Sequence, residues 1–498
     1  MPRLSASALP ALGPSVWTPR YDRAAVRPGI VHLGFGGFHR AHQALYLDRL
    51  LESGQATDWG ICGVGVLPGD RRMARVMAAQ DCLYTLVVKH PDGYLDARVV
   101  GSVVEYLFAP DDPEAVVERM AAETTRIVSL TITEGGYNTS AVTGEFDAGA
   151  PAVRADLAGG ARPRTAFGLV VEALVRRRAR GLPPFAVVSC DNIPHNGDLA
   201  RRSFAAFAAL RDPGLGEWVA GEVPFPNSMV DRITPVTTDA DRAELARRFG
   251  VEDAWPVVCE PWTQWVLEDA LPGGRPPLED VGVQLVADVA PYELMKLRLL
   301  NAGHQVLAHL GRLAGLEYVH EVCQDPLFRE FLLGYLHEEA TPTLSPVPGI
   351  DLRRYKADLV GRFANPQVRD TLDRVRENAS DRIPQFLLPV LRDNLARGGE
   401  IRRSVAVLAG WARTAEGADD AGRPLALADP RAAELGARAD RQATEPLAFL
   451  ADPDVFGDLA ADERFAAAYR DTLTSLRERG ARATVADLLS PARRSRGA

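Results

Sequence analysis

The chain has 498 residues, which at about 100–200 residues per domain predicts two to four domains and excludes a small module held by disulfides or a metal. Hydrophobic residues make up 46% and charged ones 25%, ordinary globular proportions that exclude a largely disordered or fibrous protein. The formal net charge of −9 offers no attraction to a phosphate backbone or an anionic lipid surface, so neither nucleic acid nor a membrane is expected as a partner.

Residues 30–37, IVHLGFGG, read as an apolar strand entering a glycine turn, and FHRAHQALYLDRLLESG then carries apolar residues at helical spacing up to Gly54. Further strand-like runs follow at 61–66, 83–88, 127–133 and 185–190, with helical stretches between them, the pattern of a mostly parallel sheet covered on both faces. The turn Gly34-Phe35-Gly36-Gly37-Phe38-His39 occupies a strand-to-helix junction, where the backbone N–H groups and helix dipole can hold a dinucleotide pyrophosphate. His39 stands where G-x-G-x-x-G would place its third glycine, so an ordinary tight turn is the competing reading. Arg40 is placed to meet a cofactor phosphate, or solvent. Asp70, after the second strand, is placed to accept ribose hydrogen bonds and repel a 2′-phosphate, favouring NAD over NADP. Thr133, Glu134 and Asn192 follow later strands, where ligands of open α/β sheets bind. His39 and His42 lack the further ligands a zinc site needs, so no metal is expected.

Beyond about residue 285 the apolar spacing becomes three and four throughout, and ALPGGRPPLEDVG just before it has the composition of a connection. The expectation is an α/β Rossmann-like N-terminal domain, 1–285, and a mainly α-helical C-terminal domain, 286–498. Five scattered cysteines without a C-x-x-C pair suggest a reducing, cytoplasmic setting, and the first residues read as neither a signal peptide nor an anchor.

Only three of the 57 basic residues are lysines, Lys89, Lys296 and Lys356. Arginine cannot release its proton near neutral pH, so a retained lysine suggests a need for a titratable amine. On a regular helix turning about 100° per residue, Glu293, His304 and Asn301 lie about 60°, 80° and 140° from Lys296. Four polar groups thus share one face with Leu297 and Leu300, as in a polar site set in an apolar wall; a snorkelling lysine beside a core histidine is the plainer alternative.

GFGGFHRAHQA, TITEGGYN, SCDNIPHNG, FPNSMVDRITP, EPWTQW and YELMKLRLLNAGHQ, in this order, resemble the polyol-specific long-chain dehydrogenase/reductase family, most closely its mannitol 2-dehydrogenase branch. The resemblance implies metal-independent, NAD-dependent oxidation of a polyol to a ketose, D-mannitol to D-fructose and the reverse, at a site between the two domains. It places the general base on Lys296, the oxyanion-hole amides on Asn192 and Asn301, substrate orientation on His304, and further substrate contacts on Asp231 and Arg374. Arg382 stands where the family more commonly has lysine, which alters the geometry of a substrate contact. Glu293, one turn before Lys296, is expected to pass the proton to solvent. A hexuronate reductase, a D-arabinitol dehydrogenase and a non-catalytic NAD sensor are the alternatives. The expected partner is a small polyol or ketose, and the expected assembly a monomer or weak homo-oligomer.

Overall fold

The computed structural model describes residues 2–139, 145–158 and 162–490, and divides them into two compact units, Met1–Ala290 and Pro291–Ala498. The first unit is built on a five-stranded sheet of β1 (Pro28–Leu33), β2 (Gly60–Gly65), β3 (Val103–Phe108), β4 (Ile127–Leu130) and β5 (Ala186–Ser189), in the order β3-β2-β1-β4-β5. All neighbours pair in parallel, in register Ile30 with Ile61 and Ile127, and Leu130 with Ser189. Successive strand residues serve opposite faces: Val31 and Leu33 enter one core with Val64, Val128, Leu169 and Phe204, whereas Ile30 enters another with Ile61, Leu47 and Trp265. Burial on both faces explains why these strands read as continuous apolar runs. The strand order reverses between β1 and β4, and that switch opens a crevice at their carboxyl ends.

Two expectations need correction. The run at 83–88 does not join the parallel sheet: Tyr84–Lys89 pairs antiparallel with Leu95–Val100 in a separate four-stranded sheet. The helix expected over 38–54 is two helices, Gly37–Ala41 and Gln43–Glu52, broken at His42 (φ −124°, ψ −91°), whose Nε2 lies 2.9 Å from the Gln264 carbonyl. That tertiary bond, invisible in local periodicity, fixes the break. A third sheet joins Gln284–Val286, Gln264–Glu268 and Ser228–Asp231.

The second unit is helical. Arg402–Ala415 is buried along most of its length, with Trp411 wholly enclosed, and packs against Ala302–Leu313 and Glu463–Leu489. The helix carrying Lys296 departs from regular α geometry. Between Ala290–Lys296 and Ala302–Leu313 it winds as a π-helix over Leu297–Asn301, so the 100° spacing used above does not hold across Asn301.

Candidate functional site

At the carboxyl edge of the parallel sheet, β1 ends in a turn only glycine can make. Gly34 has φ +89°, and a Cβ there would stand 2.0 Å from the Thr131 carbonyl oxygen. Gly36 caps the next helix with an exposed backbone, and a Cβ on it would meet nothing closer than 3.7 Å. The first glycine allows the turn, and the second leaves its backbone open to a ligand. Phe35 anchors the turn by packing against Gly63, where an added Cβ would lie 2.7 Å from its ring, and edge-on against Tyr106. Gly37 continues into the helix, and Phe38 stacks on His42 at 4.9 Å.

A buried polar chain holds the turn to β4. Thr131 Oγ1 donates to the Gly34 carbonyl at 2.6 Å, while His32 meets Thr131 Oγ1 and Ser129 Oγ, each at 2.9 Å. Because the threonine proton is committed to Gly34, His32 Nε2 carries the ring hydrogen and Nδ1 accepts from Ser129. Burial drives His32 down to about 3, and burial followed by the neighbouring His32 also lowers His39, so both rings are neutral at pH 7. They stack at 3.4 Å. His39 therefore belongs to the wall beneath the turn. Arg40 is also internal: it is 2% exposed, donates to the Trp255 carbonyl at 2.5 Å and lies over the Tyr84 ring. Its guanidinium is engaged inside the fold, at odds with either a phosphate contact or a solvated side chain.

Asp70 lies half-buried after β2, with Oδ2 accepting from the Leu67 amide at 2.9 Å. The expected strand at 127–133 ends at Leu130, and Thr133 adopts φ +63°, a strained conformation for a β-branched residue. Asp191 holds it there. One carboxylate oxygen accepts from the Thr133 amide at 2.8 Å, and the other from the Ile132 amide at 3.2 Å and the Tyr137 hydroxyl at 2.8 Å. Burial, then the Asp191 charge, pushes the Tyr137 hydroxyl well up, so it remains a donor. This clamp was not singled out in the sequence; its signal was the aspartate within SCDNIPHNG, which turn chemistry explained equally well. Next to it, Asn192 is exposed at the end of β5. The Glu134 side chain lies outside the described residues.

Asp231 ends the strand Ser228–Asp231, is 4% exposed and accepts from the Trp262 indole at 3.0 Å. In the helical unit, Glu293, Lys296 and Asn301 are buried. Asn301 Oδ1 has no hydrogen-bond partner among the described residues, and the His304 ring packs 4.3 Å from that of Phe363. Arg374 forms a two-point pair with Asp370, and Arg382 donates to the Arg374 and Val375 carbonyls at 3.1 and 3.0 Å. Of the other two lysines, Lys89 pairs with Asp241, and Lys356 donates to Thr341 Oγ1 at 3.0 Å. Among the described residues no group of three or more His, Cys, Asp or Glu side chains could hold a metal ion, and no helix is long and apolar enough to cross a membrane.

Comparison with known proteins agrees with these features. Residues 28–280 match the mannitol dehydrogenase Rossmann domain and residues 288–477 the mannitol dehydrogenase C-terminal domain. The mannitol 2-dehydrogenase of Phaeosphaeria nodorum is 46% identical over 476 residues, 95% of this chain and 83% of that protein. That of Neosartorya fischeri is 47% identical over 460 residues, 91% of each chain. Among solved structures, the mannitol 2-dehydrogenase of Pseudomonas fluorescens in ternary complex with NAD and D-mannitol superposes with TM-score 0.89 at 44% identity, covering 98% of this chain and 99% of that one. A substrate-free D-sorbitol dehydrogenase gives 0.90 at 38%, covering 97% and 100%. With both halves matched in order along nearly its whole length, this chain belongs to the mannitol dehydrogenase family.

Proposed function

We propose that the protein is an NAD-dependent polyol dehydrogenase that interconverts D-mannitol and D-fructose. The observation that carries this reading is the near-complete correspondence to a dehydrogenase solved with NAD and D-mannitol together. The glycine turn fits a dinucleotide: Gly34 supplies the bend and Gly36 an unobstructed backbone for a pyrophosphate. Phe35, Gly37, Phe38 and the Thr133–Glu134 loop are assigned to the same cofactor, as is Asp70, whose carboxylate would disfavour a 2′-phosphate. Bound NAD supplies the hydride acceptor.

The chain's own part is proton transfer and charge stabilisation. Lys296 is assigned as the base for the alcohol proton, since it is a buried amine on the helix that also carries Asn301 and His304. Asn192 and Asn301 donate to the developing alkoxide, each contributing about 2–4 kcal/mol if they act as oxyanion donors do elsewhere. The unpartnered atom of Asn301 is its carbonyl oxygen, an acceptor suited to a substrate hydroxyl, while the alkoxide would take the amide NH2. His304 orients the substrate, Asp231 contacts its hydroxyls, and Glu293 returns the proton to solvent. Arg374 is already neutralised by Asp370, which argues against capture of a hexuronate carboxylate and for a neutral polyol. Arg382 is assigned to shaping the Arg374 segment through its two carbonyl bonds.

D-Sorbitol is the second reading, supported by the likeness to a D-sorbitol dehydrogenase. Initial rates with NAD and NADP on D-mannitol, D-sorbitol and D-arabinitol, and in reverse on D-fructose and D-fructuronate, test the proposal. The highest kcat/KM is expected for D-mannitol with NAD; fructuronate reduction without polyol oxidation would overturn it.

A further inference from the structure

The π-helical turn between Lys296 and Asn301 decides where these two side chains point. In an α-helix a residue five positions on lies about 140° round the axis, whereas a π turn bonds i to i+5 and brings it towards the same side. The turn is visible in its hydrogen bonds: the Ala302 amide donates to the Leu297 and Leu299 carbonyls. In a regular helix that amide would donate to Arg298. The Arg298 carbonyl instead accepts from the Tyr335 hydroxyl at 3.1 Å. Tyr335 is wholly buried, so its hydroxyl has no access to water as an alternative partner.

The Arg298 side chain is held as well, from Thr343 and from the separate helix Leu388–Ala396. The Arg298 guanidinium donates to the Thr343 carbonyl at 2.8 Å and pairs with Asp393 at 2.6 Å. Tyr335 itself opens a second π-helical stretch, Tyr335–Ala340. That stretch is fixed from behind by Glu339, which accepts from the Arg403 and Ser404 amides at 2.7 and 2.9 Å at the head of helix Arg402–Ala415. One bonded path thus runs from the core helix to the backbone of the lysine turn.

We propose that Tyr335 is a positioning residue for catalysis: its hydroxyl, by satisfying the carbonyl that the π turn releases, holds Asn301 and His304 in register with Lys296. The inference rests on Lys296 being the base. Without the hydroxyl, return of the Ala302 amide to the Arg298 carbonyl is favoured, which rewinds the turn towards α geometry and carries Asn301 away from the lysine.

The test is Tyr335→Phe, which keeps the ring, beside Tyr469→Phe, which removes another buried hydroxyl of the same unit, bonded to Gln442. In Tyr335→Phe, kcat for D-mannitol is expected to fall about tenfold, the fold-change of one buried hydrogen bond acting on the barrier. The apparent pKa of kcat should move while KM for NAD stays constant, and hydrogen exchange of the amides at 298–303 should accelerate. Tyr469→Phe should change none of these. Unaltered exchange at 298–303 would overturn the grip, whatever Lys296 does, because that readout needs no turnover. Faster exchange with unaltered kcat and pH profile, or equal losses in Tyr469→Phe, would overturn the positioning role. Turnover surviving in Lys296→Ala would instead remove the base assignment on which the role depends.

Discussion

The Asp191 clamp predicts a specific failure in Asp191→Asn. Asp191 is 7% exposed, and its carboxylate accepts from Thr133 on Oδ1 and from Ile132 and Tyr137 on Oδ2. Asparagine keeps a single acceptor oxygen, so either the Thr133 bond or the Ile132 and Tyr137 pair is lost, and an NH2 group is set against a donor. Hydrogen bonds to a buried charge are worth about 1.5–3 kcal/mol each, so the substitution should cost about 2–4 kcal/mol. The loss falls on a residue already strained at φ +63°, so the loop after β4 should relax away from the crevice. At about 2 °C per kcal/mol for a unit of this size, the first unit should melt about 4–8 °C lower. NAD affinity measured by titration calorimetry should weaken at least about tenfold. Tyr137→Phe, which removes one donor and leaves the carboxylate in place, should show a smaller loss of about 1 kcal/mol in the same direction. If both variants melt and bind NAD as the unaltered protein does, the clamp has no role in shaping the cofactor crevice.

Further outcomes are expected. Lys296→Ala should lower kcat by about 10²–10⁴-fold while NAD binding is nearly intact, as stopped-flow turnover and cofactor titration would reveal; Glu293→Gln should slow turnover and shift its pH profile by a smaller amount. Gly34→Ala should abolish measurable NAD binding, because a Cβ 2.0 Å from the Thr131 carbonyl forces the turn open. Burial raises the Glu339 carboxyl to about 7 against the opposing hydrogen bonds from Ser404 and Arg403. Its folded value therefore lies above its unfolded one, so its stabilising contribution is full below about pH 4.5 and fades as pH rises through about 7, by about 3 kcal/mol in all. Thermal melts of the second unit should drop across that window, and Glu339→Gln should flatten the slope.

The fold was legible where local chemistry decides it. Ile30, Val31 and Leu33 fill both faces of a buried strand, and Gly34 follows where the chain must turn under a neighbouring carbonyl, so strand and turn could be placed from residue type alone. The same cues misled where distant partners intervene. Tyr84–Lys89 has the composition of a parallel strand and does pair in parallel with Val257–Cys259, but in a separate sheet, where its other edge takes the hairpin partner Leu95–Val100, a choice set by the short connection between them. Arg40 sits at a helix head suited to phosphate, but Trp255 and Tyr84, more than 40 residues away in sequence, enclose it.

For the site, residue types carried more information than spacing. Lys296 stood out through the scarcity of lysine, and Asn301 and His304 through their place in an apolar helix; the helical angles assigned to them were wrong in principle. A π turn has no local sequence signature, since Leu297 to Leu300 would form an α-helix equally well by propensity. What lies outside the local sequence is Tyr335, 37 positions from Arg298, which supplies a hydroxyl to a carbonyl that the Ala302 amide would satisfy in α geometry. Fixing that geometry needs the tertiary partner, and the partner is legible only once the two segments are seen side by side. A polar residue buried against the backbone of a helix is therefore better evidence about the direction of its side chains than the helix's own periodicity.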